Sequence, residues 1–173
     1  MHKIYEAGIF VIGGFIVGFD EESDRVADEI AGLIDEAEAA RTLDALRELG
    51  EAQEALDAAA AQDCRADTLR PAYQPTFDAW MGLSHLGLGP LEEDGRALTI
   101  AFWPDSRGLV GRTVQRLRAE EDAAVDRPER FAEVSIAGRG LFALERLLYE
   151  PDDDGNGEYT CRLAQAIARD LSR

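Results

Sequence analysis

The chain has 173 residues, 46% of them apolar, with a formal net charge of −17 and an isoelectric point near 4.4. That length and apolar content suit one domain with a packed core and exclude a disordered chain. The excess of acids speaks against nucleic acid and anionic membrane surfaces as partners, because phosphate binding needs clustered Lys and Arg.

The first element is "AGIFVIGGFIVGF" (7–19). A bilayer-spanning helix needs about 20 residues, so this run is too short to cross one. The preceding "MHKIYE" balances one Lys against one Glu, and Asp20-Glu21-Glu22 follows without a small-residue cleavage site, so no convincing signal peptide is read. Its β-branched content predicts a buried strand, single and without an evident partner. The domain reading is an apolar N-terminal extension over 1–22 and a helical bundle over 23–173.

From Ser23, a plausible N-cap, the pattern turns helical. Val26, Ile30, Leu33, Ile34 and Ala37 recur at three- and four-residue spacing, and Leu43, Leu46, Leu49, Ala52 and Leu56 continue the stripe toward Cys64. A second helix is predicted over 71–86, with Pro71 and Pro75 near its start. A Gly- and Pro-rich crossing over 87–105 leads to a helix over 106–121. A long helix follows over 127–149, with Phe131, Val134, Ile136, Leu141, Leu144, Leu147 and Leu148 facing the core. The last runs from Tyr159 to Leu171. The fold class is an all-α, up-and-down bundle with a strand-like N-terminal extension.

Residues 5–30, "YEAGIFVIGGFIVGFDEESDRVADEI", resemble a piece of the radical SAM barrel of enzymes that also carry a cobalamin-type domain. Those enzymes hold an iron–sulfur cluster with three closely spaced Cys, whereas this chain has only Cys64 and Cys161. The resemblance, over 1–35, therefore implies no radical chemistry, and the segment reads as a fused fragment.

A second resemblance covers 36–173. "FDAWMGLSHLGLGPLEEDGRALTIAFWPDSRGL" and "VSIAGRGLFALERLLYEPD" are similar to the imelysin family of bacterial cell-envelope proteins. The resemblance implies an all-helical fold of two similar bundles, of which this chain is the first, and a periplasmic or envelope location. It also implies a link to iron or metal handling, while the family's peptidase assignment is doubtful. A protein partner or a second bundle is the expected partner, and no integral membrane span is expected.

The family motif is Gly-x-His-x-x-Glu. Residues three apart share one helix face, so His and Glu converge on one cation, here a divalent metal ion. In this chain the register is Gly140, Leu141, Phe142, Ala143, Leu144, Glu145. Phe142 stands in the His position and cannot ligate a metal, so only Glu145 carries over. The plain alternative for Glu145 is a partly buried carboxylate paired with Arg96, Arg139 or Arg146. His85, near the Gly89-Pro90 corner, is the candidate second ligand, approaching Glu145 or the Glu92-Glu93 pair; otherwise it complements a helix C-terminus. No HExxH signature or nucleophile–base pair is present, so no catalytic residue is assigned.

The loop "DDDGNG" places Asp152, Asp154 and Asn156 at alternating positions, as a calcium loop begins. Its twelfth position is Leu163 instead of Glu, so an ordinary polar turn is the competing reading. Two cysteines allow one intrachain pairing, Cys64 with Cys161. The envelope location implied by the resemblance favours that disulfide, whereas a cytosolic chain would keep two buried thiols. The functional expectation is a non-catalytic envelope protein engaged in metal handling or partner binding, with a purely structural helical domain as the alternative and a metallopeptidase behind both.

Overall fold

A computed structural model describes residues 10–12, 15–17, 24–85, 91, 95–150 and 157–173, with backbone alone for the strands and for 24–35 and 37. The chain divides into two compact units, Met1–Asp44 and Ala45–Arg173.

The N-terminal apolar run is not a lone strand. Strands β1 (Phe10–Ile12) and β2 (Phe15–Val17) pair antiparallel, Ile12 opposite Phe15 and Phe10 opposite Val17. That register leaves Gly13 and Gly14 between them, the residue type that two-residue hairpin connections favour. The sequence reading took one continuous strand because it did not use the Gly-Gly pair as a turn signal. Helix α1 (Asp24–Gln62) runs unbroken through Gly50, and its Ala, Glu and Leu content favours a helix of that length. Ser23 lies outside the described residues.

The remaining elements form an all-α bundle. They are α2 (Ala66–Leu83), α3 (Arg96–Ile100), α4 (Leu109–Glu120), α5 (Pro128–Phe131), α6 (Gly140–Tyr149) and α7 (Gly157–Leu171), with 3-10 turns at Ala123–Asp126 and Ile136–Gly138. In α1 the apolar stripe is only partly buried: Leu49 and Leu56 are in the core, whereas Leu43 is 62% exposed.

Helix α2 begins five residues before the prolines expected at its start. Pro71 and Pro75 lie one turn apart on its exposed face, as does Asp67, so the helical donors they remove are lost on the side of the helix that faces water. On the opposite face Thr76 is buried, its hydroxyl donating to the carbonyls of Ala72 (3.0 Å) and Ala52 of α1 (3.1 Å). Helix α4 starts where the Asp105 carboxylate accepts from the Leu109 (2.6 Å) and Val110 (2.9 Å) amides. These charge-stabilising bonds hold the Asp105 carboxyl below its ordinary pKa.

The predicted long helix over 127–149 is broken. A short α5, a turn and an extended Arg139 separate its two ends. The packing at this break is tight: a Cβ on Gly138 would lie 2.7 Å from Thr113 Cγ2 of α4. Of the predicted core residues in this stretch, Phe131, Leu141, Leu144, Leu147 and Leu148 are buried, while Val134 and Ile136 are half-buried.

Helix α6 is the hub of the second unit, packing on α7, α2, α4 and α3. Its residues Leu141, Ala143, Leu144, Leu147 and Leu148 are all buried. Helix α7 closes the bundle with Tyr159, Leu163, Ala166 and Ile167 inside. Burial and the nearby Asp122 charge push the Tyr159 hydroxyl pKa up to about 12. Cys64, just past α1, and Cys161, in the first turn of α7, form the disulfide, with Cα atoms 5.0 Å apart.

Candidate functional site

The site grows from the first residues of α6. Gly140 has φ of +79°, a conformation that side chains with a Cβ rarely adopt. A Cβ there would collide with the Thr99 carbonyl oxygen and lie 2.6 Å from that of Ile100. Strain of this kind costs about 1–3 kcal/mol, and two fixed carbonyls place Gly140→Ala near the upper end. Urea denaturation of that variant should show it; an unchanged midpoint would mean that the α6 entry has no such constraint.

From that entry the helix turns Leu141, Leu144 and Leu148 into the core and Phe142, Glu145 and Tyr149 outward, at spacings of three and four. Phe142, in the motif's His position, is half-buried among rings. It meets Phe77 of α2 edge-on, with centroids 6.2 Å apart, and Trp103 at 6.1 Å. Phe77 stacks on Tyr73 at 5.9 Å, and Tyr73 meets Tyr149 edge-on at 6.0 Å. Five rings from three segments thus form one row, with contacts of the kind aromatic pairs prefer. Its two ends reach water: Trp103 is 68% exposed, and Tyr149 is exposed as well.

At the Tyr149 end the row carries a cation. The Arg70 guanidinium lies 5.1 Å from the Tyr149 ring centroid and donates twice to the Leu148 carbonyl, at 2.8 and 2.6 Å. The Tyr73 hydroxyl is raised well above the ordinary tyrosine range, first by burial and then by the negative charge of Glu145. Glu145 itself is exposed. The expected arginine partners are engaged elsewhere: Arg139 pairs with Asp170, Arg146 with Glu150, and Arg96 donates to the Leu171 carbonyl. Among the described residues Glu145 has no hydrogen-bond or ion-pair partner.

His85 lies two residues past the end of α2 and is exposed. Among the described residues no group of three His, Cys, Asp or Glu side chains is placed to hold a metal ion. A divalent transition metal generally takes several N, O or S ligands in fixed geometry. The residues at the motif position do not fit one: the first ligand is a phenyl ring packed against two others. The Gly89-Pro90 corner, Glu92-Glu93 and the Asp152, Asp154, Asn156 loop lie outside the described residues. Sequence reasoning missed Tyr73, Trp103 and Tyr149 as members of the site. The available signal was the spacing of Arg70, Tyr73 and Phe77 along α2, matching that of Phe142, Glu145 and Tyr149 along α6.

A second feature is a cavity of about 370 Å³ beside the disulfide, lined by Arg65, Arg70, Leu147, Glu150 and Thr160 as well as both cysteines. Its charged groups are already paired: Arg65 with Asp63, Arg70 with Asp67, and Glu150 with Arg146. It therefore offers no free charge to a ligand.

In comparison with known proteins, the family model described as imelysin (peptidase M75) matches residues 37–173. No curated protein and no solved structure matches the chain.

Proposed function

Because the chain belongs to the imelysin family over residues 37–173, we propose that it is a non-catalytic, partner-binding imelysin domain of the bacterial cell envelope. Of the two roles expected of such a protein, metal handling and partner binding, the site favours the second. One observation carries the reading: Phe142 occupies the motif's His position and is packed against Phe77 and Trp103. A position that would have supplied a nitrogen ligand supplies apolar contact instead. The Cys64–Cys161 disulfide supports an oxidising compartment outside the cytosol. Among the described residues no helix is long and apolar enough to cross a membrane.

Isothermal titration of the whole protein with zinc and with ferrous iron tests this. The expected result is no stoichiometric site. Micromolar or tighter binding that disappears in His85→Ala or Glu145→Gln would mean that a metal centre has been rebuilt around other ligands, and the reading would fail.

A further inference from the structure

The row of rings has two ends, and among the described residues only one of them carries a cation. At the Tyr149 end the chain's own Arg70 lies over a ring face and is tied to the Leu148 carbonyl. At the other end stand Phe77, Phe142 and the largely exposed Trp103. One turn along α6 from Phe142 is Glu145, exposed and without an ion-pair partner among the described residues. The apolar strip continues along α2, where Met81 follows Phe77 by one turn and is 53% exposed.

Ring faces carry negative quadrupole density, and a carboxylate beside them adds a full charge, so both select a cation. An arginine or lysine whose stem also covers apolar surface satisfies the rings, the methionine and the carboxylate together. We propose that the Trp103–Phe142–Glu145 face is the docking surface for a basic segment of a protein partner, with one Arg or Lys seated over the rings and paired with Glu145. Charge complementarity argues for this occupant: the chain carries a net −17, which steers basic partners inward and repels acidic ones. Arg70 on Tyr149 is the internal precedent for how the same row takes a guanidinium. The inference rests on the partner-binding reading above and names the partner's chemistry.

The test uses the full chain at physiological salt and NMR of its Trp103 and Phe142 signals. The probe is a short blocked peptide with one arginine beside two leucines, set against the same peptide with neutral citrulline. Saturable shifts are expected with the arginine peptide, weakened about tenfold by citrulline, which loses the cation–π contact and the ion pair together, and roughly threefold by Glu145→Gln or Trp103→Ala, which each lose one of them. Glu133→Gln, an exposed acid on the turn after α5, is expected to leave binding unchanged. Equal loss in Glu133→Gln and Glu145→Gln, meaning attraction to net charge alone, would overturn the proposal. So would the absence of any saturable shift, or equal binding of the citrulline peptide. The metal titration is an independent arm: a stoichiometric metal site would overturn the partner-binding reading, whereas failure of the peptide with no metal bound would overturn the cation seat alone.

Discussion

Replacing Cys64 and Cys161 by serine is expected to lower the stability of the chain by about 4–5 kcal/mol, the loop-closure value for a ring of this size. The cysteines are 97 residues apart in sequence, so the bond closes most of the second unit into one loop. In the entropic account the unfolded chain loses conformational freedom that the folded chain has already given up. Measured effects are commonly smaller, because the unfolded reference retains structure. The bond also works locally. It ties the turn after α1 to the first turn of α7, where the Asp63 carboxylate accepts from the Arg65 amide (3.1 Å) and the Thr68 hydroxyl (2.9 Å). Bonds from Arg65 hold the Asp63 carboxyl well below the usual carboxylate range. At roughly 2–4 °C per kcal/mol for a domain of this size, the double replacement should melt about 8–20 °C lower. Thiol counting on protein denatured without reductant provides the companion measurement. Two reactive thiols in material purified from the oxidising compartment, or a melting point unmoved by the replacement, would remove the disulfide from the account.

The pairing was expected because two cysteines admit one intrachain bond and because the envelope location implied by the imelysin resemblance favours that bond over two buried thiols. Phe142 was legible in the sequence: a three-residue spacing on a helix is local geometry, so a substitution within it can be read without a fold. What could not be read depends on packing between distant segments. The break between α5 and α6 coincides with two close approaches, Gly138 to Thr113 and Leu117 of α4 and Gly140 to the carbonyls of Thr99 and Ile100. Neither approach leaves a mark in the apolar periodicity, which runs on through 127–149 as if one helix filled it. The prolines of α2 misled for a related reason. Proline is costly in a helix because it strands a carbonyl and crowds the preceding turn, but part of that cost falls where the stranded carbonyl faces water, and exposure is not a local property of the sequence. Trp103 is the clearest case. It lies in an irregular loop, where no period predicts its neighbours, yet it completes the row of rings.

Glu145 shows how the two levels combine. The sequence offered three arginines as partners, and electrostatics alone could not choose among them. The fold commits each to another acceptor, and the one that matters most is Arg139. Arg139 pairs with buried Asp170 of α7 just before α6 begins, and among the described residues Glu145, on the outer face of that helix, has no ion-pair partner.

Asp170→Ala is therefore expected to cost about 3–5 kcal/mol, the usual penalty for removing one partner of a buried ion pair. The side chains of Arg139 and Asp170 are only 10% and 9% exposed, and Arg139 Nη1 lies 3.2 and 3.3 Å from the two carboxylate oxygens. Arginine cannot escape by losing its proton, since a guanidinium stays protonated in proteins. The guanidinium would be left charged and unopposed in the core, with its Nε already buried without a partner. The pair joins α7 to the residue that precedes Gly140, so the loss falls on the entry of α6 and on the register of Phe142 and Glu145. The expected drop in melting temperature is about 6–20 °C. A second variant separates lost charge pairing from lost packing. Arg139→Met combined with Asp170→Leu removes both charges while keeping apolar volume, and buried pairs replaced in this way are often neutral or stabilising. It should recover most of the stability lost in Asp170→Ala. If Asp170→Ala alone changes the unfolding free energy from urea denaturation by less than about 0.5 kcal/mol, the range of ordinary surface substitutions, the pair does not anchor α6.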